Sequence, residues 1–132
     1  MQPKKRTLVI GMLFSMLFFF GCTTVSKENT ITVTELHDVI NKKEVIVLDV
    51  RTPKEVAQGK IKSDALVMNF FEDDFIQKAT SQLPKGKKVY VYCRSGKRSG
   101  KTVIQLRELG YSKIYNVEGG IKAWKAKGFK IE

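Results

Sequence analysis

The chain has 132 residues, 24 Lys and Arg against 13 Asp and Glu, a formal net charge of +11, and two cysteines, Cys22 and Cys93. That length supports one modest core and excludes a large multidomain machine. The positive balance favours anionic partners, but the lysines are scattered and the aromatics sit mostly in apolar patterns, which argues against nucleic acid.

The first segment, "MQPKKRTLVIGMLFSMLFFFGC", starts basic (Lys4, Lys5, Arg6) and continues with an apolar run from Leu8 to Phe20. Thirteen residues rise about 20 Å as a helix, short of the roughly 30 Å hydrocarbon layer. The pattern is that of a signal peptide. Phe19-Phe20-Gly21-Cys22 resembles the lipobox of bacterial lipoproteins, with Phe19 where leucine is usual; ordinary secretion or an uncleaved anchor is the alternative. The resemblance implies removal of residues 1–21, acylation of Cys22, and a lipid-anchored protein of the bacterial cell envelope, on its periplasmic or extracellular face. The mature chain would carry a formal charge of +8, since Lys4, Lys5 and Arg6 are lost. With Cys22 acylated, Cys93 has no partner in the chain, so neither a disulfide framework nor a cysteine metal site is expected. No metal and no cofactor are expected at all.

Residues 22–30 are polar and read as a tether, followed by one domain over 31–132. Thr32 and Glu35 form a capping box, with Ile31 and Leu36 as its hydrophobic staple, and predict a helix to about Asn41. "VIVLDV" (Val45 to Val50) is an apolar, β-branched run of the kind buried on both faces of a parallel sheet. Thr52 and Glu55 form a second capping box, with Pro53 at the first helical position, and that helix stops near Gly59. A strand is predicted from Ala65 to Phe70, a helix from Asp73 to about Leu83, and a strand from Lys88 to Cys93. A glycine-bearing loop then leads to a helix from Ser99 to about Leu109, closed by Gly110. Lys113 to Val117 is the last strand and Gly120 to Ala126 the last helix. The alternation predicts an α/β fold, a central parallel sheet with helices on both faces. Ligands of such sheets bind beyond the carboxyl ends of the strands, where the Cys93 loop falls.

Three chemistries use a loop like "CRSGKRSGKT". A nucleotide P-loop needs four residues between its glycines; Gly96 and Gly100 have three, and Ser95 stands where glycine is required. A cysteine phosphatase needs five residues between cysteine and arginine, whereas Cys93 and Arg98 have four, a ring suited to a smaller electrophile than a phosphoryl group. The third is sulfur transfer. A compact loop entering a helix can point its amides at an anion, and cationic, helix-N-terminal settings lower a cysteine pKa from near 8.5 to roughly 3.5–7.5.

Several separated pieces, in order, resemble the single-domain rhodanese, or thiosulfate sulfurtransferase-like, family. They are Asp49-Val50-Arg51-Thr52-Pro53-Lys54-Glu55, Gly59-Lys60-Ile61 (often Gly-His-Ile in the family), "CRSGKRS", and "GYSKIYNVEGGIKAW" from Gly110 to Trp124. The resemblance implies that Cys93 is a nucleophile that holds a sulfane sulfur as a persulfide. Amides of Arg94, Ser95, Gly96, Lys97, Arg98 and Ser99 would cradle that sulfur, while the side chains of Arg94, Lys97 and Arg98 set donor preference. The implied partners are a small anionic sulfur donor such as thiosulfate and a thiol or cyanide acceptor, served by a monomer. Asp49, Arg51 and Glu55 read as framework, Trp124 as core, His37 as solvated or partly buried, and Gly119-Gly120 as a point of close backbone approach or a plain turn. The alternative function is a rhodanese-like module that binds a partner or senses sulfide or oxidant without turnover.

Overall fold

The computed structural model describes residues 24–132, and the leader, Cys22 and the lipobox lie outside the described residues. The strands are β1 (Thr30–Ile31), β2 (Val45–Asp49), β3 (Leu66–Val67), β4 (Lys88–Tyr92) and β5 (Ile114–Val117). The helices are α1 (Val33–Val39), α2 (Pro53–Val56), α3 (Phe75–Gln82), α4 (Lys97–Glu108) and α5 (Gly120–Ala126). All strand pairs are parallel, in the order β1-β5-β4-β2-β3, so β4 is central. The predicted α/β architecture is what the chain adopts.

Strand alternation divides the core between the two faces of the sheet. Leu48, Val89, Val91 and Ile114 pack with Phe75 and Ala79 of α3 and Val103 and Leu106 of α4. Val47, Tyr90, Tyr92 and Val117 pack with Val33 and Leu36 of α1 and Ile121 and Trp124 of α5. Both predicted capping boxes are present, each with its threonine accepting from the glutamate amide and its glutamate accepting from the threonine amide. α4 closes with a pair of Schellman bonds, Gly110 N–H to Arg107 and Tyr111 N–H to Leu106.

Four boundaries depart from the sequence expectation. The strand expected over 65–70 is only Leu66–Val67, because the Asn69 carboxamide accepts from Phe71 N–H at 3.1 Å and turns the chain away. α3 begins at Phe75 rather than Asp73, without a side-chain cap. α4 begins at Lys97, two residues before the expected Ser99, because Gly96 at φ +97° turns the strand exit directly into the helix. The stretch read as a tether up to Thr30 is, from Val25 on, laid along the domain. Val25 packs against the core, Lys27–Asn29 form a single 3-10 turn, and Thr30 opens β1 beside β5.

Candidate active site

The site lies at the carboxyl end of the central strand. β4 delivers Cys93 to the carboxyl end of the sheet, and residues 94–96 carry the chain into α4. Cys93 is 1% exposed, so an anion there has little help from water and depends on the donors around it. Those donors are present. The Gly96 amide donates to Sγ at 3.1 Å, and the Ser99 hydroxyl lies 3.4 Å from it. Burial alone would push the Cys93 thiol up; the Ser99 hydroxyl and the amides of Ser99, Gly96 and Ser95 outweigh it and hold the thiol below its ordinary value. The sequence reading placed the whole run Arg94 to Ser99 around the sulfur. In the structure three of its amides lower the thiol, and the Ser99 side chain is an added donor.

The cations of the loop divide. Arg94 and Lys97 are exposed at the rim. Arg98 is not free: its two terminal nitrogens donate to the two carboxylate oxygens of Glu55 at 2.8 and 2.7 Å. This bidentate bond, together with Thr52, holds the Glu55 carboxyl down at about 2. The guanidinium also lies over the Phe71 ring, 5.6 Å from its centre, and its charge interacts with the Cys93 sulfur. Glu55, read as framework, therefore reaches the loop through Arg98. Phe71, which carried no signal in the sequence beyond being aromatic, is 65% exposed.

Two further layers hold the loop. A Cβ at Gly120 (φ +59°) would lie 2.7 Å from the Arg94 carbonyl carbon. Without one, Ile121 N–H donates to the Cys93 carbonyl at 3.0 Å and Lys122 N–H to the Arg94 carbonyl at 3.1 Å. Of the two readings given for Gly119-Gly120, close backbone approach is the observed one. Below the loop, Arg51 grips the buried Asp49 carboxylate with bonds of 2.7 to 3.1 Å. The Tyr92 hydroxyl donates to Asp49 at 2.6 Å and accepts from Ile61 N–H at 3.2 Å. Burial, then the Asp49 charge, pushes the Tyr92 phenol well up, so it stays a neutral donor. Asp49 and Arg51 are thus framework, as the sequence suggested. Trp124 is core, with its indole N–H on the Lys130 carbonyl. His37 stacks on Phe129 with ring centres 4.1 Å apart, on an exposed face of α1. Among the described residues no cluster of His, Cys, Asp or Glu could hold a metal.

A parallel α/β domain with an unpaired cysteine in an amide-lined loop at the end of its central strand is the architecture of the sulfur-handling and phosphate-handling cysteine domains. Comparison with known proteins narrows this. The model of the rhodanese-like domain matches residues 32–127. A sulfurtransferase of Allochromatium vinosum is 41% identical over 88 residues, covering 67% of this chain and 78% of that protein. The solution structure of the rhodanese-like domain of Anabaena protein Alr3790 superposes with a TM-score of 0.69 at 27% identity, over 79% of this chain and 78% of that one. The tRNA uridine(34) hydroxylase of Rickettsia bellii is 33% identical over 89 residues, which is 64% of this chain but only 35% of the hydroxylase. The chain belongs to the rhodanese-like domain family. Its relatives include a sulfurtransferase and larger tRNA-modifying proteins, so membership alone does not specify the reaction.

Proposed function

We propose that this protein is a sulfurtransferase in which Cys93 carries a sulfane sulfur. The observation that supports this most is the donor set on a buried Sγ: the Gly96 amide at 3.1 Å, the Ser99 hydroxyl at 3.4 Å, and a thiol held low by them. In the first half-reaction the Cys93 thiolate attacks the outer sulfur of thiosulfate. A new S–S bond forms to Cys93, the donor's S–S bond breaks with its electron pair, and sulfite leaves. Charge balances: a monoanion and a dianion give a persulfide monoanion and a sulfite dianion. An acceptor thiolate or cyanide then takes the outer sulfur and restores the Cys93 thiolate. No general base is needed, because the thiolate, which the surrounding donors favour, itself attacks and sulfite is a good leaving group. The persulfide is itself an anion, so the same amides serve both states.

The address belongs to the proposal as well. Acylation at Cys22 would hold the domain in the bacterial cell envelope. What supports it is the basic, apolar and small-residue pattern of residues 1–22.

The test is sulfite release from thiosulfate with cyanide or a small thiol as acceptor. The wild type should turn over and Cys93→Ser should not; release that survives in the serine variant removes the assignment. A low thiol is also readily oxidised, and this favours redox sensing as the second reading. Intact-mass measurement on protein isolated without reductant, repeated after treatment with dithiothreitol, separates the two. A gain of about 32 Da that the reductant removes supports transfer, and oxygen adducts, including a gain of about 32 Da that survives it, support sensing.

A further inference from the structure

The described chain begins at the same end of the sheet as Cys93. β1 pairs Thr30 with Asn116 and Ile31 with Val117 near the end of β5. Thr24 and Val25 then line a cavity of about 290 Å³ together with Ser95, Gly96, Lys97 and Lys101. On the other side of the loop, Arg94, Lys122 and Lys125 border a cleft of about 520 Å³. These five cations are exposed, and none takes part in an ion pair among the described residues. Phe71 projects at the same rim, over Arg98.

We infer that this rim lies on an anionic bilayer, with the Cys93 mouth turned toward the headgroups. The inference rests on the anchor proposed for Cys22. Only Thr23 lies between Cys22 and Thr24, and those two residue steps reach at most about 7 Å. An acyl chain at that distance brings the rim within the roughly 8 Å over which its charges are felt at physiological salt. Basic side chains with an aromatic among them are what an interfacial surface presents to lipid. Charge alone does not choose this face, since Lys42, Lys87, Lys88 and Lys113 border a cleft of about 490 Å³ that includes the first residues of β2 and β4. Five strand residues at about 3.3 Å each place that end some 17 Å farther away, about two screening lengths. The exit of the chain decides between the two basic ends. Sulfur exchange would then take place at the membrane surface, and acceptors carried on or at the bilayer would meet Cys93 directly.

Orientation is testable with the full acylated chain in vesicles of mixed phosphatidylglycerol and phosphatidylcholine. In a Cys93→Ser background, fluorophores are placed singly at Lys97→Cys, Lys122→Cys and Lys87→Cys, and the vesicles carry a quencher at headgroup level. The labels at 97 and 122 should be quenched several-fold more than the label at 87. The excess of the label at 97 over the label at 87 should shrink when Lys122 and Lys125 are both replaced by Glu, and again at about 1 M salt, where screening acts within about 3 Å. Equal quenching at all three positions, or quenching at 87 alone, overturns the orientation while leaving the anchor intact. If Cys22→Ala remains with membranes as the wild type does, the anchor fails and the inference fails with it.

Discussion

Removing the Ser99 hydroxyl should strip Cys93 of one donor without disturbing the fold. Ser99 is fully buried in the first turn of α4, where its hydroxyl makes the 3.4 Å contact with Sγ. In Ser99→Ala the amides of Ser95, Gly96 and Ser99 stay where they are. A hydrogen bond to a charged group contributes about 1.5–3 kcal/mol, and the long sulfur distance argues for the lower figure. A loss of about 1.4 kcal/mol is tenfold in the thiolate-to-thiol ratio. Only the thiolate reacts, so alkylation by iodoacetamide at pH below both inflections should slow by about tenfold. The sign follows from the downward shift of the thiol. Losing a donor moves the inflection to higher pH, so the wild-type advantage should be largest below both inflections and vanish above both. A ratio that is the same at every pH would mean that Ser99 only positions the sulfur, and the electrostatic account of the site would be refuted.

Two other perturbations probe what holds the loop. Glu55→Gln keeps the shape but halves the bidentate bond to Arg98. Because the Glu55 carboxyl is lowered from 4.5 to about 2, its contribution is present above 4.5 and lost as pH falls from there toward 2. After allowance for its partial solvent access that contribution is about 1–2 kcal/mol, or about 4–8 °C in Tm per kcal/mol. Thermal melts should show the gap at neutral pH and its narrowing in acid, and a gap that persists unchanged in acid rules the ion pair out as its source. In Gly120→Ala the new Cβ meets the Cys93–Arg94 backbone, and alanine in the left-handed region costs a further 1–2 kcal/mol, roughly. Sulfite release should fall more than tenfold. Gly86→Ala, which has open space around it, should leave activity and melting unchanged, and equal effects from the two would remove the close-approach argument.

The sheet was legible because its signals are local. β2 and β4 are short β-branched runs, and the two capping boxes mark helix starts within four residues each. The loop after β4 was legible as a passage from strand to helix because a lone cysteine and two glycines follow an apolar run. What the sequence hid is pairing across long separations. Nothing near Glu55 indicates that it will meet Arg98, 43 residues later, and a capping glutamate already has a complete local explanation. Phe71 was hidden because exposure is a property of the finished surface. The stretch before β1 misled because its composition is polar, while its position is set by two apolar residues, Val25 and Ile31, and by a free edge on β5. Short edge strands such as β1 and β3 owe their existence to the neighbour they pair with.

The Glu55–Arg98 bond changes how the positive charge of the site must be understood. Taken from sequence, Arg94, Lys97 and Arg98 are three equivalent attractors for an anionic donor. In the structure one of them is already neutralised by a carboxylate and shielded by Phe71, so its charge adds little to the field that an approaching dianion meets. Long-range attraction then falls to Arg94 and Lys97, both exposed and screened by salt, while Arg98 acts at close range between Glu55 and the sulfur. Rim and interior should therefore respond differently to conditions. On the proposed function, changes to Arg94 or Lys97 should show in the apparent affinity for thiosulfate and in its salt dependence. Changes to the Glu55–Arg98 pair belong in turnover at saturating donor, because they alter a contact that is felt only once the donor's sulfur has reached Cys93.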